Sequence, residues 1–379
     1  VRLDASGYYA LGVPFALAVA AWDHVASRRR GERGWTISTA VSHLSTSMGE
    51  VLVGIFLAPF LFWIYDWALA HVAIVRWPQG SLVPWVLAFL LGDFCYWLNH
   101  LAGHRVGVYW AVHGVHHQSD EFNLAVALRH PWFSDALAWP FYAPLPLLGV
   151  PPEHFFIAIS AISYYALSIH SHTFSWGGLW AFVTPRTHQL HHAMNKRYLG
   201  SNLAAMFTVW DRLFGTYREP HPSDPPQFGT PRGYRTHNGV MAQWILWRDL
   251  IRAAAKTAVL SEKLKVFFGP PGYMPPGVKL DPEPRARDDR DVPIAVRAYV
   301  LAQFVVASAF ALWVLWLRDR HTWTLHTIAT LWLFLTLATL GALLDGTPNA
   351  RRWELARVAL TLPALFAWAW LGFAGTSRP

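Results

Sequence analysis

The chain has a single cysteine, Cys95, set inside an apolar run. One thiol excludes a disulfide framework and the cysteine-built zinc and iron–sulfur sites. It reads as a small core residue. Charge is also scarce, at 14% of residues against 54% hydrophobic, which is low for an ordinary water-soluble surface. No internal repeat, no Walker sequence and no Gly-rich dinucleotide loop is present, so repeat architectures and the common nucleotide-binding folds lack their signatures.

What the sequence has instead is tryptophan, 22 of 379 residues, and long apolar runs. Lipid-exposed helices with aromatic residues near the interfaces account for both. The net charge of +8 comes from basic residues at the ends of apolar runs rather than along a polar face. That pattern suits an anionic membrane surface or the positive-inside rule, and not a nucleic-acid partner.

The runs set out an order. Residues 5–24 read as a first spanning helix, and Arg28, Arg29 and Arg30 follow it, the reverse of a signal peptide's leading charges. Residues 31–48 are polar and fit a loop or surface helix; 49–73 and 83–99 are apolar again. Pro140, Pro144 and Pro146 interrupt 133–150, and Pro151 and Pro152 precede the run at 155–169. A bent or incompletely spanning helical hairpin with its turn near 150–153 is expected. Residues 196–298 are hydrophilic, with Gln243–Phe268 expected as an amphipathic helix on the membrane surface. Three apolar runs, 299–317, 324–344 and 354–373, close the chain.

The expected fold is therefore an all-α integral membrane protein of about eight apolar crossings, with a cytoplasmic histidine-rich catalytic cap. Its parts are an N-terminal transmembrane region (1–89), a histidine-cluster region with the hairpin (90–220), a cytoplasmic surface segment (221–298) and a C-terminal transmembrane region (299–379). Running the crossings in order from Arg28–Arg30 inside puts every histidine cluster on the inner side, with Arg318 and Arg320 as exceptions to the charge rule. A bacterial inner membrane with the active site facing the cytoplasm fits this order.

Twelve of the 19 histidines lie between residues 100 and 192. They form His100-x-x-x-His104, His113-x-x-His116-His117 and His188-x-x-His191-His192. Positions i, i+3 and i+4 share a helical face, so each cluster is expected to aim two or three imidazoles at one point. These eight histidines, with His170 and His172 at similar depth, suffice for two ions at about four ligands each. Imidazole suits iron, zinc and copper. Beside apolar helices, iron with O2 is the useful pairing, because unactivated C–H bonds have no acid–base route and fall to redox metals. Asp93 lies on one helical stripe with Trp97, His100 and His104, and is expected to accept a hydrogen bond from the outer nitrogen of a ligating imidazole. Glu121 is a candidate for contact with the metals or for organising water, and Asn195 for donating a hydrogen bond near the oxygen site. The bland readings are a helix-end charge and a turn cap. Asp211 and Arg212 read as braces.

The three clusters resemble those of the fatty acid hydroxylase and sterol desaturase superfamily. Supporting segments are Asp93-Phe94-Cys95-Tyr96-Trp97, Ala127-Leu128-Arg129, Thr184-Pro185-Arg186 and Trp210–Tyr217. The segments Gln118–Leu124 and Lys265–Tyr273 are most similar to the alkylglycerol monooxygenase-like branch. The resemblance implies a di-iron centre activating O2, held by the eight cluster histidines and His170, the extra histidine before the third cluster. It implies hydroxylation of a membrane lipid's alkyl chain, with ether cleavage by hydroxylation next to the ether oxygen. It also implies a separate electron donor, tetrahydrobiopterin or a redox protein. Sterol or fatty-acyl desaturation at the same centre is the alternative, and a metal or ion transporter is a distant one. Two departures stand out: Leu101 where relatives have Arg, and a short spacing from His170 to His188.

Overall fold

The computed structural model describes residue 18 and residues 21–31, 34–171, 180–281, 291–317 and 322–376. Most of the expected first crossing, His172, Arg318 and Arg320 lie outside these. Among the described residues the regular elements are helices, and strand pairing is limited to isolated bridges such as Phe182 with Phe207.

The chain divides into two compact units. The first is built from residues up to Ile55, from Arg235–Ala242 and from the C-terminal region. Helix α1 (Ile37–His71) begins twelve residues ahead of the apolar run expected at 49, so from Ile37 the polar stretch takes the helical of its two expected forms and is continuous with that run. Its early Ser and Thr residues are taken inside rather than left on a surface: Ser38, Ser42, Ser45 and Thr46 are buried, and Thr46 Oγ1 donates to the His43 carbonyl at 2.7 Å. Val41 packs with Val292, Val300, Phe304, Leu337, Leu340 and Leu344, drawn from α12 (Ile294–Trp316), the residues before it, and α13 (Trp323–Asp345). The last helix, α14 (Ala350–Thr376), packs on α13. A buried Glu354–Arg357 pair joins the three C-terminal helices: Arg357 Nη2 donates to Gln303 Oε1 at 2.8 Å and Thr339 Oγ1 donates to Glu354 Oε2 at 2.6 Å.

The second unit comprises Phe56–Tyr234 and the residues from Gln243 onward to the described end of that stretch. Helix α2 (Val83–Arg105) is its axis. Tyr65, from the later part of α1, packs with Ala88, Leu145, Val150 and Phe155, and its hydroxyl donates to the Val150 carbonyl at 3.0 Å. The proline-broken run folds as the short helices α5 (Ser134–Tyr142) and α6 (Pro144–Leu147), after which Gly149 turns the chain into α7 (Pro152–Ser168). Gly149 sits at φ +74°, and a Cβ there would collide with the Val75 carbonyl oxygen. Both the left-handed backbone and the close approach require glycine. The expected surface helix over Gln243–Phe268 is two helices, α10 (Gly239–Ala255) and α11 (Leu260–Phe268), parted at 256–259.

Four described helices have the length and composition to cross a bilayer: α1, α2, α12 and α13. They mark a membrane protein. The hairpin reaches only the 17 residues of α7 in a single helix.

Candidate metal centre

The histidines sit where helices end. His100 and His104 occupy the last turns of α2; α3 (Gly107–His113) follows at once and ends on His113. At Gly107 a Cβ would meet the carbonyl oxygens of Val266 and Phe267 at 2.5 and 2.8 Å, so glycine lets α3 start against the end of α11. After Gly114 and Val115 the chain tightens into a 3-10 turn, His116–Gln118. The third cluster lies on α8 (Pro185–His191), started by a Thr184/Thr187 capping box with Pro185 in the first turn.

The nine histidines expected as ligands form two groups. His100, His104, His113, His117 and His191 make one; His116, His170, His188 and His192 make the other, and in each group one ring nitrogen per residue lies within 4.8 Å of all the rest. The two groups touch, His117 stacking on His192 with centroids 4.6 Å apart. Each cluster thus sends two imidazoles to one group, and the second and third clusters send their remaining one to the other. On α8 helical geometry explains the division: residues i and i+4 differ by about 40° around the axis, whereas i+3 falls about 60° to the other side, so His188 and His192 stay together while His191 turns away. The second cluster runs past the end of α3 into the 3-10 turn, and there too His113 and His117 stay together while His116 joins the other group.

Outer ring nitrogens decide what the inner ones present. Nδ1 of His116 faces the Arg129 carbonyl at 3.2 Å and Nδ1 of His170 faces the Ala166 carbonyl at 2.8 Å. In the other group, Nδ1 of His100 faces the Leu203 carbonyl at 2.6 Å and Nδ1 of His191 faces the Ser201 carbonyl at 3.0 Å. A carbonyl only accepts, so each ring places its proton on Nδ1, and Nε2 of the neutral ring is a bare lone pair. Yet Nε2 of His116 and Nε2 of His170 lie 3.1 Å apart. Two lone pairs at that distance repel, and a cation between them converts the repulsion into ligation. Metal–imidazole bonds of about 2.1 Å place neighbouring nitrogens about 3.0 Å apart at right angles and about 3.4 Å apart at tetrahedral angles. The observed spacings, 2.9 Å for His100–His113, 3.0 Å for His113–His117 and His170–His188, and 3.1 Å for His170–His192, fit such a centre. Nε2 of His104 and of His191 are buried with no hydrogen-bond partner, as a site built for a metal leaves them. Burial holds His113, His116, His117, His188, His191 and His192 well below the ordinary histidine value, and neighbouring imidazoles push the same way. The rings are therefore neutral at pH 7, the form that binds metal.

The surrounding braces differ from expectation in one place. Asp93 touches no imidazole. It accepts from the backbone N–H groups of Met206 and Phe207 at 3.0 and 3.1 Å and from Trp210 Nε1 at 2.9 Å. The outer nitrogen of His100 is taken by the Leu203 carbonyl instead, because the 203–207 segment lies between the acid and the histidine groups. Asp211, on α9 (Val209–Leu213), grips the same segment: its carboxylate accepts from Leu203 N, Ala204 N, Trp97 Nε1 and Thr216 Oγ1 at 2.6–3.0 Å. Asp211 thus has the bracing part expected of it, one step from His100. Arg129, known from the sequence only as part of a motif, donates to the Val115 carbonyl and to Gln118 Oε1 at 2.8 and 2.7 Å, fastening the turn between His113 and His116. A buried arginine among apolar neighbours was the signal for it.

Glu121 accepts from Asn123, whose own oxygen caps α4 (Leu124–Ala127). Asn195 bonds Asp224, the Pro225 carbonyl and Gln227 N, fixing a loop in the manner of a turn cap. The rings of Trp110 and Phe122 wall the two groups, Trp110 beside His104 and His117, Phe122 beside His170 and His192.

The fatty acid hydroxylase family model matches residues 85–216, a stretch containing all nine histidines. Alkylglycerol monooxygenase of Danio rerio is 29% identical over 79% of this chain and 68% of its own length. The human alkylglycerol monooxygenase is 26% identical over 88% of the chain and 76% of its own. A cholesterol 25-hydroxylase-like protein of Danio rerio is 32% identical over 50% of the chain and 76% of its own. No solved structure matches the chain. With its histidine groups inside the matched stretch, the chain belongs to the fatty acid hydroxylase family, and is an enzyme of that oxygenase and hydroxylase kind.

Proposed function

We propose that the chain is an O2-dependent di-iron monooxygenase that hydroxylates a lipid alkyl chain and cleaves ether lipids by oxidising the carbon next to the ether oxygen. The observation that carries the metal assignment is the pairing of His116 with His170, each proton-bearing on Nδ1 and facing the other through Nε2 at 3.1 Å. His100, His104, His113, His117 and His191 would hold one iron and His116, His170, His188 and His192 the other. The pair would supply the redox step: one atom of O2 enters the C–H bond and the other leaves as water, with two electrons and two protons from a reductant. Tetrahydrobiopterin or a redox protein is the donor in this reading.

The chain's own side chains keep the centre in shape. Carbonyls of Arg129, Ala166, Leu203 and Ser201 fix ring orientation and tautomer. Trp110 and Phe122 keep bulk water from the flanks of the rings. A hydroxyl placed beside an ether oxygen gives a hemiacetal, which breaks to an aldehyde and an alcohol without further oxidation. Ether cleavage is favoured over desaturation by the likeness to alkylglycerol monooxygenases along most of the chain. In this reading eight crossings of a bacterial inner membrane place both groups on the cytoplasmic side, and Asp93, Glu121 and Asn195 act as positioning residues.

Iron-loaded protein in nanodiscs is given 1-O-hexadecylglycerol, O2 and tetrahydrobiopterin. The expected result is hexadecanal and glycerol, with no product when O2 is removed. Product formed equally under anaerobic conditions, or none with any donor and lipid in metal-loaded protein, would refute the assignment.

A further inference from the structure

Beside the five-histidine group is a small cleft that no ligand role yet explains. Asn99, Gly103, Tyr109, Val112, His113 and Leu137 line it, and its volume is about 30 Å³, room for roughly two water-sized groups. Asn99 immediately precedes His100 on α2, and Tyr109 lies one helical turn before His113 on α3. Neither the Asn99 carboxamide nor the Tyr109 hydroxyl has a hydrogen-bond partner among the described residues. Tyr109 makes only an edge contact with Phe141, at 5.7 Å between centroids. Asn99 and Tyr109 are both half-buried. Ser134, on the rim, donates to the Pro131 carbonyl. Gly103 keeps the cleft open to the imidazole: a Cβ there would come within 3.2 Å of the His113 ring.

We propose that Asn99 and Tyr109 bind the ether oxygen of the substrate and so select which chain carbon lies beside His113; this rests on the lipid-oxidising reading above. The chemistry of the lining narrows the ligand. An unbroken alkyl chain leaves both polar groups unmet. A phosphate or carboxylate finds no cation in the lining and exceeds the volume. An ether oxygen can accept from both the amide N–H and the phenol O–H, and the –CH2–O– unit is of the right size. The apolar remainder, Val112 and Leu137, suits the adjoining methylenes.

The test compares two lipids differing at one position: 1-O-hexadecylglycerol and 1,2-icosanediol, in which CH2 replaces the ether oxygen. Their binding to iron-loaded protein in nanodiscs is measured by competition under anaerobic conditions, so turnover is not needed. Wild type is expected to prefer the ether by about tenfold, the ratio a lost hydrogen-bonded pair commonly produces. Asn99→Leu and Tyr109→Phe should each lower that preference to threefold or less, with iron content kept and affinity for the diol within twofold of wild type. Tyr109→Phe removes only the hydroxyl and guards against misfolding of the other variant. Equal affinity of wild type for both lipids, as a cleft holding only water would give, overturns the proposal. So do variants that keep the full preference. If the preference behaves as expected but O2 yields no product from either lipid, the binding site stands and the oxidation reading fails.

Discussion

Replacing Asp211 by Asn tests how the metal groups are held. Asp211 is 1% exposed. Its Oδ1 accepts from Trp97 Nε1, Leu203 N and Thr216 Oγ1, and its Oδ2 accepts from Ala204 N at 3.0 Å. The amide swaps one acceptor for a donor pointed at another donor, and removes the charge behind the remaining three bonds. Losing one charge-assisted bond costs about 1.5–3 kcal/mol, and a buried N–H left unmet about 1–3 more, so a total of about 3–5 kcal/mol is expected. The damage falls on Leu203 and Ala204, and Leu203 presents the carbonyl that fixes His100. Iron bound by the five-histidine group should therefore be lost first, the iron content falling from two toward one per chain while the four-histidine group keeps its ion. Elemental analysis, with tryptophan-fluorescence unfolding in detergent, reads both effects. Asp211→Asn with two irons and an unshifted unfolding midpoint would refute the reasoning.

Other consequences are open to measurement. His117→Ala and His192→Ala each remove one donor from a different group, so each should lower iron content and abolish O2-dependent product; either variant with full activity contradicts the ligand set. The pH dependence has a definite sign. Burial lowers the histidine values at positions 113, 116, 117, 188, 191 and 192 in the folded chain, so the unfolded chain binds more protons below its own value of about 6.5. Stability and iron retention should be complete above that pH and decline below it; iron release that is flat from pH 7 to 4.5 would contradict this. In the first unit, Arg357→Leu strands the buried Glu354 carboxylate, and unfolding should become easier by about 3–5 kcal/mol. Much of that loss should return in Glu354→Leu/Arg357→Leu, and a double variant as unstable as the single one would be inconsistent with it.

The grouping of the histidines was largely legible because spacing and residue type are both local. His-x-x-His-His on a helix states which residues share a side, and that was enough to name nine imidazoles. Their sorting into five and four was not legible, since it depends on which rings from other elements meet each pair: His191 joins His100 and His104, and His116 joins His170 and His188. Asp93 shows the limit of helical stripes. Its place above His100 and His104 is as the spacing says, but a segment more than a hundred residues away comes between them and takes its hydrogen bonds. The continuity of α1 with the polar stretch before it was missed because the Ser and Thr there read as surface-facing, whereas Ser38, Ser42, Ser45 and Thr46 are buried in the first unit. Proline gave the broken hairpin correctly, as its missing N–H acts on its own neighbours. Asn99 carried no signal in the sequence; its meaning comes from Tyr109 and His113 across the cleft.

The central claim is that nine imidazoles hold two redox ions. Iron per chain should be measured on protein active toward 1-O-hexadecylglycerol, with X-ray absorption on the same sample to identify the ligands. Two irons per chain, each ligated mainly by imidazole nitrogen, is the expected result. Full activity with one metal ion per chain, or with sulfur or oxygen as the main protein ligands, would contradict it.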